Sequence, residues 1–148
     1  MLHKLVSKRS GAAAEAMEGD CVITNVGRVG AVAQVPVGIR AALGRNMTGI
    51  RCSGDFPYPA FLIETLLSDG LRQEIVENTD TGTVLDALNV RSIPHLRCVL
   101  PPVACIRAFE STVRPLRQLM EAHLREAATL VDLRDSLLPP LLSGGVRR

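Results

Sequence analysis

The sequence has no tryptophan, three phenylalanines and one tyrosine in 148 residues. Large rings commonly anchor interfaces and stack on bases, so few side chains are available for either role. The four cysteines, Cys21, Cys52, Cys98 and Cys105, are scattered with no C-x-x-C pair, and His3, His95 and His123 lie far apart. No metal-ligand spacing results, and the histidines read as surface or packing residues. There is no signal-peptide pattern and no apolar run of about 18 residues, so a reduced, cytoplasmic protein with no membrane association is expected. The formal charge is only +2, which gives no overall basic bias. No P-loop, carboxylate-rich metal site or nucleophile with its base occurs, so no catalytic residue, metal or cofactor is assigned.

What is present is an ordinary folded composition, 47% apolar, in a chain long enough for one domain or one domain with an appendage. The last third, from Leu100 to Arg148, reads as one long helix. Pro101 and Pro102 suit its start, because their missing amides fall where no intrahelical acceptor exists. Pro139, Pro140, Gly144 and Gly145 are expected to stop it, leaving about 35 residues or roughly 50 Å of helix. Apolar residues recur along it in a heptad pattern, with Ile106, Val113, Met120 and Ala127 on one track and Phe109, Leu116, Leu130 and Leu137 on the other. That is a seam for a second helix, interrupted by His123 and Arg134. Pro115 falls inside it, and a kink or a late helix start is expected there.

The first twenty residues have no clear entry and read as a short helix or flexible lead, closed by a turn at Gly19 and Asp20. Two β-branched runs follow, CVITNVG at 21–27 and AVAQVPV at 31–37, joined by a tight Gly-containing connection. They predict a β-hairpin, with a third strand at 46–52. Between Cys21 and Gly54 lie Arg28, Arg40, Arg45 and Arg51 and no acidic residue. This local basic stretch is either a solvated surface around the strands or a polyanion-binding face.

From 56 to 78 the pattern turns helical, and Ser68 to Gly70 divides it into two helices. The word DFPYPA at 55–60 superficially resembles the D-P-P-Y word of amino-methyltransferases. Phe56 stands in place of the first proline and no Gly-rich cofactor loop precedes it, so that reading is rejected. Residues 79–102 predict a Gly-centred loop, a short helical turn at 90–93 and a strand at 96–100.

These words, taken together and in order, are specific. LPP, then Ile106, Phe109 and Glu110, then V-x-P-L at 113–116, then TL-x-x-LRDSLLPPLLSG at 129–144, resemble the DNA-specificity subunits of type I restriction-modification systems. GDCVITNVGRVGAVAQVP is similar to a segment in the second half of that family's target-recognition domains. The resemblance implies an α+β fold: a partial, mixed, β-rich recognition domain at 1–100 and a long coiled-coil helix at 101–148. It implies a non-catalytic, sequence-specific DNA-binding component that directs methyltransferase and restriction subunits to double-stranded DNA. It places Thr24, Asn25 and Arg28 near the duplex, with Arg45 and Arg51 as phosphate partners. In the Gly-centred loop and after it, Thr81, Thr83 and Asn89 are candidate polar contacts and Arg91 a phosphate partner, or else they are turn-forming caps.

The resemblance also implies an antiparallel helix partner for Val113, Leu116, Met120, Ala127, Leu130 and Leu137. Family members normally carry two recognition domains and two long helices, whereas this sequence carries about half of one domain and one helix. A truncated product, a split subunit or a misplaced start codon is therefore expected, with the helix partner supplied by another copy or by the other half. The alternative is a coiled-coil assembly protein that binds methyltransferase subunits without reading DNA.

Overall fold

The protein is described by a computed structural model at residue 2, residues 6–9 (backbone alone for 7–9), 14–81 and 85–142. The strands in chain order are β1 (Val6–Arg9), β2 (Glu15–Ala16), β3 (Cys21–Thr24), β4 (Val32–Gln34), β5 (Ala41–Ala42), β6 (Met47–Cys52), β7 (Thr79–Asp80) and β8 (Ala87–Leu88). The helices are α1 (Pro59–Leu67), α2 (Asp69–Glu77) and α3 (Val103–Leu142). The fold is α+β. Its main sheet has the order β1-β6-β3-β4, and β2-β5 and β7-β8 are two-stranded ribbons. Every pairing among the described residues is antiparallel.

The expected hairpin forms, with Cys21 opposite Gln34 and Ile23 opposite Val32, and β6 takes the free side of β3. Alternation along β3 sets the two faces, because successive side chains point to opposite sides of a pleated strand. Cys21 and Ile23 face the main core with Ile50, Leu62, Leu66 and Ile75, while Val22 faces a small second cluster of Ala16, Val35 and Leu43.

The lead segment departs from its expected helix or flexible chain. Val6–Arg9 is a strand, paired from Val6 opposite Cys52 to Arg9 opposite Gly49. The far edge of β6 presents a row of unpaired amides and carbonyls, and a short segment distant in sequence satisfies them. The strand expected at 96–100 does not form either. Leu96 offers its carbonyl to the Leu2 amide at 3.0 Å, and the Arg97 amide donates to Glu74 Oε1 at 3.2 Å. A carboxylate on α2 thus replaces a strand neighbour, and the Arg97 guanidinium holds the Glu74 carboxyl below its usual range by side-chain hydrogen bonding. The predicted short turn is a 3-10 turn at Ile93–His95.

The two helices divided at Ser68 are as expected, and the Ser68 hydroxyl accepts from the Leu71 amide at 3.4 Å to cap α2. Helix α1 is capped differently. Its own N-cap, Tyr58, makes no side-chain cap bond, and its first turn holds no acidic residue. Glu110 of α3 fills the place: its carboxylate accepts from the Ala60 amide at 3.3 Å and the Phe61 amide at 2.9 Å. A negative group at a helix N-terminus satisfies orphan donors and meets the positive end of the helix dipole. Next to it Phe109 meets Phe61 edge-on at 5.8 Å, and Phe56 meets Tyr58 at 4.9 Å and Phe61 at 6.0 Å. The few aromatic rings of the chain are therefore spent in one cluster. It accounts physically for both DFPYPA and the Phe109-Glu110 word.

Helix α3 starts at Val103, directly after Pro101 and Pro102, as expected. The late start at Pro115 does not occur, since the helix is continuous through it, and the helix runs past Pro139 and Pro140 to Leu142. A proline deletes only its own amide's bond, so the amides of Leu141 and Leu142 remain available to the helical ladder. Gly144 and Gly145 lie outside the described residues. By compactness the chain divides into two units, Met1–Val113 and Arg114–Arg148. No helix among the described residues is long and apolar enough to cross a membrane.

Candidate nucleic-acid interface

The residues nominated from the sequence sort themselves between the two ends of the main sheet. At one end is the β3–β4 bend. Thr24 donates its amide to the Ala31 carbonyl and accepts from the Gly30 amide, both at 2.9 Å, which closes the loop around Arg28. Gly27 and Gly30 have φ of 83° and 81°, a left-handed conformation that a Cβ disfavours. The bend is held on a second segment by Gly27 N–H to Asp86 O at 3.0 Å, by a bridge between Val26 and Ala87, and by Leu88 N–H to Asn25 O at 2.8 Å. A third segment joins through Asn25 N–H to Asn46 O at 2.8 Å.

Three loops distant in sequence thus meet at one place: the bend with Arg28, the turn with Arg45, and the β7–β8 ribbon with Thr81, followed by Asn89 and Arg91. Arg28, Arg45 and Arg91 are exposed, and none forms an ion pair among the described residues. The exposed Asp80 and Asp86 belong to the same ribbon, so charge is mixed there and cationic at the bend and the Arg45 turn.

Two nominated residues are placed elsewhere. Asn25, expected near the duplex, is 4% exposed, and its side-chain oxygen accepts from the buried Thr48 hydroxyl at 3.2 Å. Its alternation with Ile23 turns it inward, and its backbone bonds bracket three segments together. Arg51 lies at the opposite end of β6, roughly 13 Å from Met47 by the strand rise. There it forks onto Asp20, with Nε to Oδ1 at 2.7 Å and Nη2 to Oδ2 at 2.6 Å. That pairing, chiefly the side-chain hydrogen bond, raises the Arg51 pKa. Asp20 also accepts from the Met17 amide at 2.8 Å, so the pair locks the turn that starts β3.

Arg40 is likewise paired, to Glu15 at 2.7 Å. The basic stretch therefore divides into Arg40 and Arg51, which serve the fold, and Arg28 and Arg45, whose charges are unspent. Thr24 is half-buried at the end of β3, and Thr81 is exposed. Asn89 uses its side-chain oxygen to accept from the Arg91 amide at 2.9 Å, which is the turn-capping role weighed for it. Thr83 lies outside the described residues. Sequence reasoning missed the partners of these groups, Asp20 for Arg51, Thr48 for Asn25 and Glu15 for Arg40, because each is recruited from a distant part of the chain.

Over 77 residues the chain is 32% identical to a protein named type I restriction enzyme MjaIX specificity subunit, from Methanocaldococcus jannaschii. The similarity is to part of that protein. The match covers 52% of this chain and 18% of the relative. No family model matches the chain. A pocket of about 430 Å³ lies beside the bend, lined by Arg28 and Val32 from the hairpin and by Leu67, Arg72, Ile75 and Val76 from the helices.

Proposed function

We propose that this chain is a recognition-domain segment and conserved helix of a type I restriction specificity subunit, binding double-stranded DNA without catalysing a reaction. The observation that carries this reading is the convergence of the Arg28 bend, the Arg45 turn and the β7–β8 ribbon that leads into Asn89 and Arg91, with Arg28, Arg45 and Arg91 in no ion pair among the described residues. Arg28, Arg45 and Arg91 would meet phosphates and supply affinity, while Thr24, Thr81, Thr83 and the Asn89 amide supply sequence choice. Asn25 and Arg51 contribute by holding the loops and the start of β3. The methyltransferase and restriction subunits would perform the chemistry.

The test is duplex binding by the whole chain, selected from a randomised pool and measured by anisotropy across a salt series. Each lost phosphate contact lowers the slope of log affinity against log salt by about 0.9. Arg28→Ala and Arg45→Ala should each do so, and Arg40→Ala should not. Folded protein that binds no duplex, or Arg28 and Arg45 variants indistinguishable from the parent at low salt, would overturn the reading.

The helix favours a second function, partner assembly. Along residues 116–138 the side chains of Leu116, Leu119, Met120, Leu124, Leu130, Val131, Leu133, Leu137 and Leu138 are between 43% and 64% exposed. Contiguous apolar surface of this kind marks an interaction site. Val113, Leu116, Met120, Ala127, Leu130 and Leu137 would pair with an antiparallel helix from a second copy or a split-subunit partner. A native mass equal to one chain at micromolar concentration would sink the homodimer. Capture of a type I methyltransferase subunit without duplex binding would favour assembly over DNA reading.

A further inference from the structure

We infer that Arg72, on α2, is a further phosphate-binding side chain that carries the DNA interface across the pocket beside the β3–β4 bend. The inference rests on the DNA-binding reading above and extends it to a residue outside the basic stretch.

The pocket joins two parts of the chain that are in direct contact. A Cβ placed on Gly30 would stand 3.2 Å from Ile75 Cγ2, so the bend and α2 meet at van der Waals range and the spacing of their side chains is set by the fold. Arg28 and Arg72 both line the space between them, and among the described residues no acidic side chain does. Its remaining surface is largely apolar, from Val32, Leu67, Ile75 and Val76.

Both guanidinium groups are unspent. Arg28 and Arg72 are exposed, and neither forms an ion pair or side-chain hydrogen bond among the described residues. Elsewhere in the same unit arginines take the carboxylates within reach: Arg40 pairs with Glu15, Arg51 with Asp20, and Arg97 with Glu74 and Glu77. Asp69 precedes Arg72 by three positions, where helical neighbours commonly pair, yet no bond joins them. Glu74, the next carboxylate along α2, is already committed to Arg97.

Two forked cations over an apolar floor match one chemical class, a phosphodiester with its sugar. The anionic oxygens accept from the guanidinium forks, and the apolar face of the deoxyribose rests on Val32, Leu67 and Val76, with buried Ile75 behind them. A duplex lying along the bend would reach this pocket with the backbone adjoining the Arg28 contact. Such a contact positions the duplex and carries no sequence information.

The experiment is the salt series on the whole chain with Arg72→Ala, Arg72→Lys and Arg28→Ala, each checked for an unchanged thermal midpoint. Arg72→Ala is expected to weaken binding about threefold to tenfold at low salt, equally for different sequences, and to lower the slope by about 0.9. Arg72→Lys should keep most of the slope, since it keeps the charge. In the unmutated protein the Arg72 Nε–H resonance should shift when duplex is added. Unchanged affinity and slope in Arg72→Ala with both reduced in Arg28→Ala would overturn this inference and leave the DNA reading standing. An unmoved Arg72 resonance with saturating duplex would do the same. Failure of the unmutated chain to bind any duplex would remove both.

Discussion

Replacing Glu110 by alanine should destabilise the first unit by about 2 kcal/mol, although Glu110 belongs to the long helix and the damage falls on α1. The magnitude follows from what its carboxylate touches. Two amides, of Ala60 and Phe61, lose their acceptor, and both residues are at least nine-tenths buried, so water cannot readily replace it. Loss of a helix cap costs about 1 kcal/mol, and a buried donor left without a partner costs about 1–3 kcal/mol. Against this, the variant no longer buries a carboxylate that is 7% exposed in the parent, which offsets part of the loss. A net change of about 2 kcal/mol is a large share of the roughly 5–15 kcal/mol that holds a small domain together. Urea unfolding followed by Tyr58 emission reads it directly, since the chain has one tyrosine and no tryptophan, and that ring packs on Phe56. With a slope near 1–1.5 kcal/mol per molar, the midpoint should fall by about 1.5 M. Glu110→Gln keeps one acceptor oxygen and should lose about half as much. A loss below about 0.5 kcal/mol in Glu110→Ala would refute the capping argument.

Other perturbations separate the roles assigned above. Arg51→Ala should cost about 2–3 kcal/mol in the same urea assay, because it strands the Asp20 carboxylate, whose side chain is 5% exposed. Arg40→Ala should cost less than about 0.5 kcal/mol, because its pair with Glu15 is exposed on both sides. Gly30→Ala should cost about 2 kcal/mol, combining a left-handed φ with contact against Ile75, and a neutral result would count against a fixed bend. Burial pushes the Cys52 thiol up from 9.0 to about 11. The folded state then holds this proton more tightly than the unfolded chain. Its stabilising effect is full below pH 9.0 and is lost as pH rises to about 11. The loss should be about 1 kcal/mol for this half-buried group, and a Cys52→Ala variant should show a flatter decline over that window.

The hairpin, the α1–α2 division and the proline-marked start of α3 were legible because each rests on local rules: β-branched runs around glycines, a Ser cap between helical stretches, and prolines where no amide acceptor exists. The elements that sequence reasoning misplaced are those whose hydrogen-bond partners lie far along the chain. β1 is a strand because the edge of β6 needed pairing, and 96–100 is not one because Glu74 supplied the acceptor instead. A late start at Pro115 and a stop at Pro139 were expected from a local penalty that the rest of the helical ladder tolerates.

The same division applies to the candidate site. Composition and spacing alone predicted strands followed by helices, a basic stretch and an apolar helical seam, and the resemblance implied the α+β fold. They could not distinguish Arg28 and Arg45 from Arg40 and Arg51, which share one acid-free segment. Tertiary structure decided that, because a guanidinium is spent or free according to whether folding brings a carboxylate to it. Folding carried Asp20 to Arg51 and Glu15 to Arg40, turned Asn25 inward to Thr48, and set Arg72 beside Arg28. Local pattern determined the hairpin and the helices, while the edge strand and the pairing of charges and buried polar groups depend on neighbours that only the closed fold supplies.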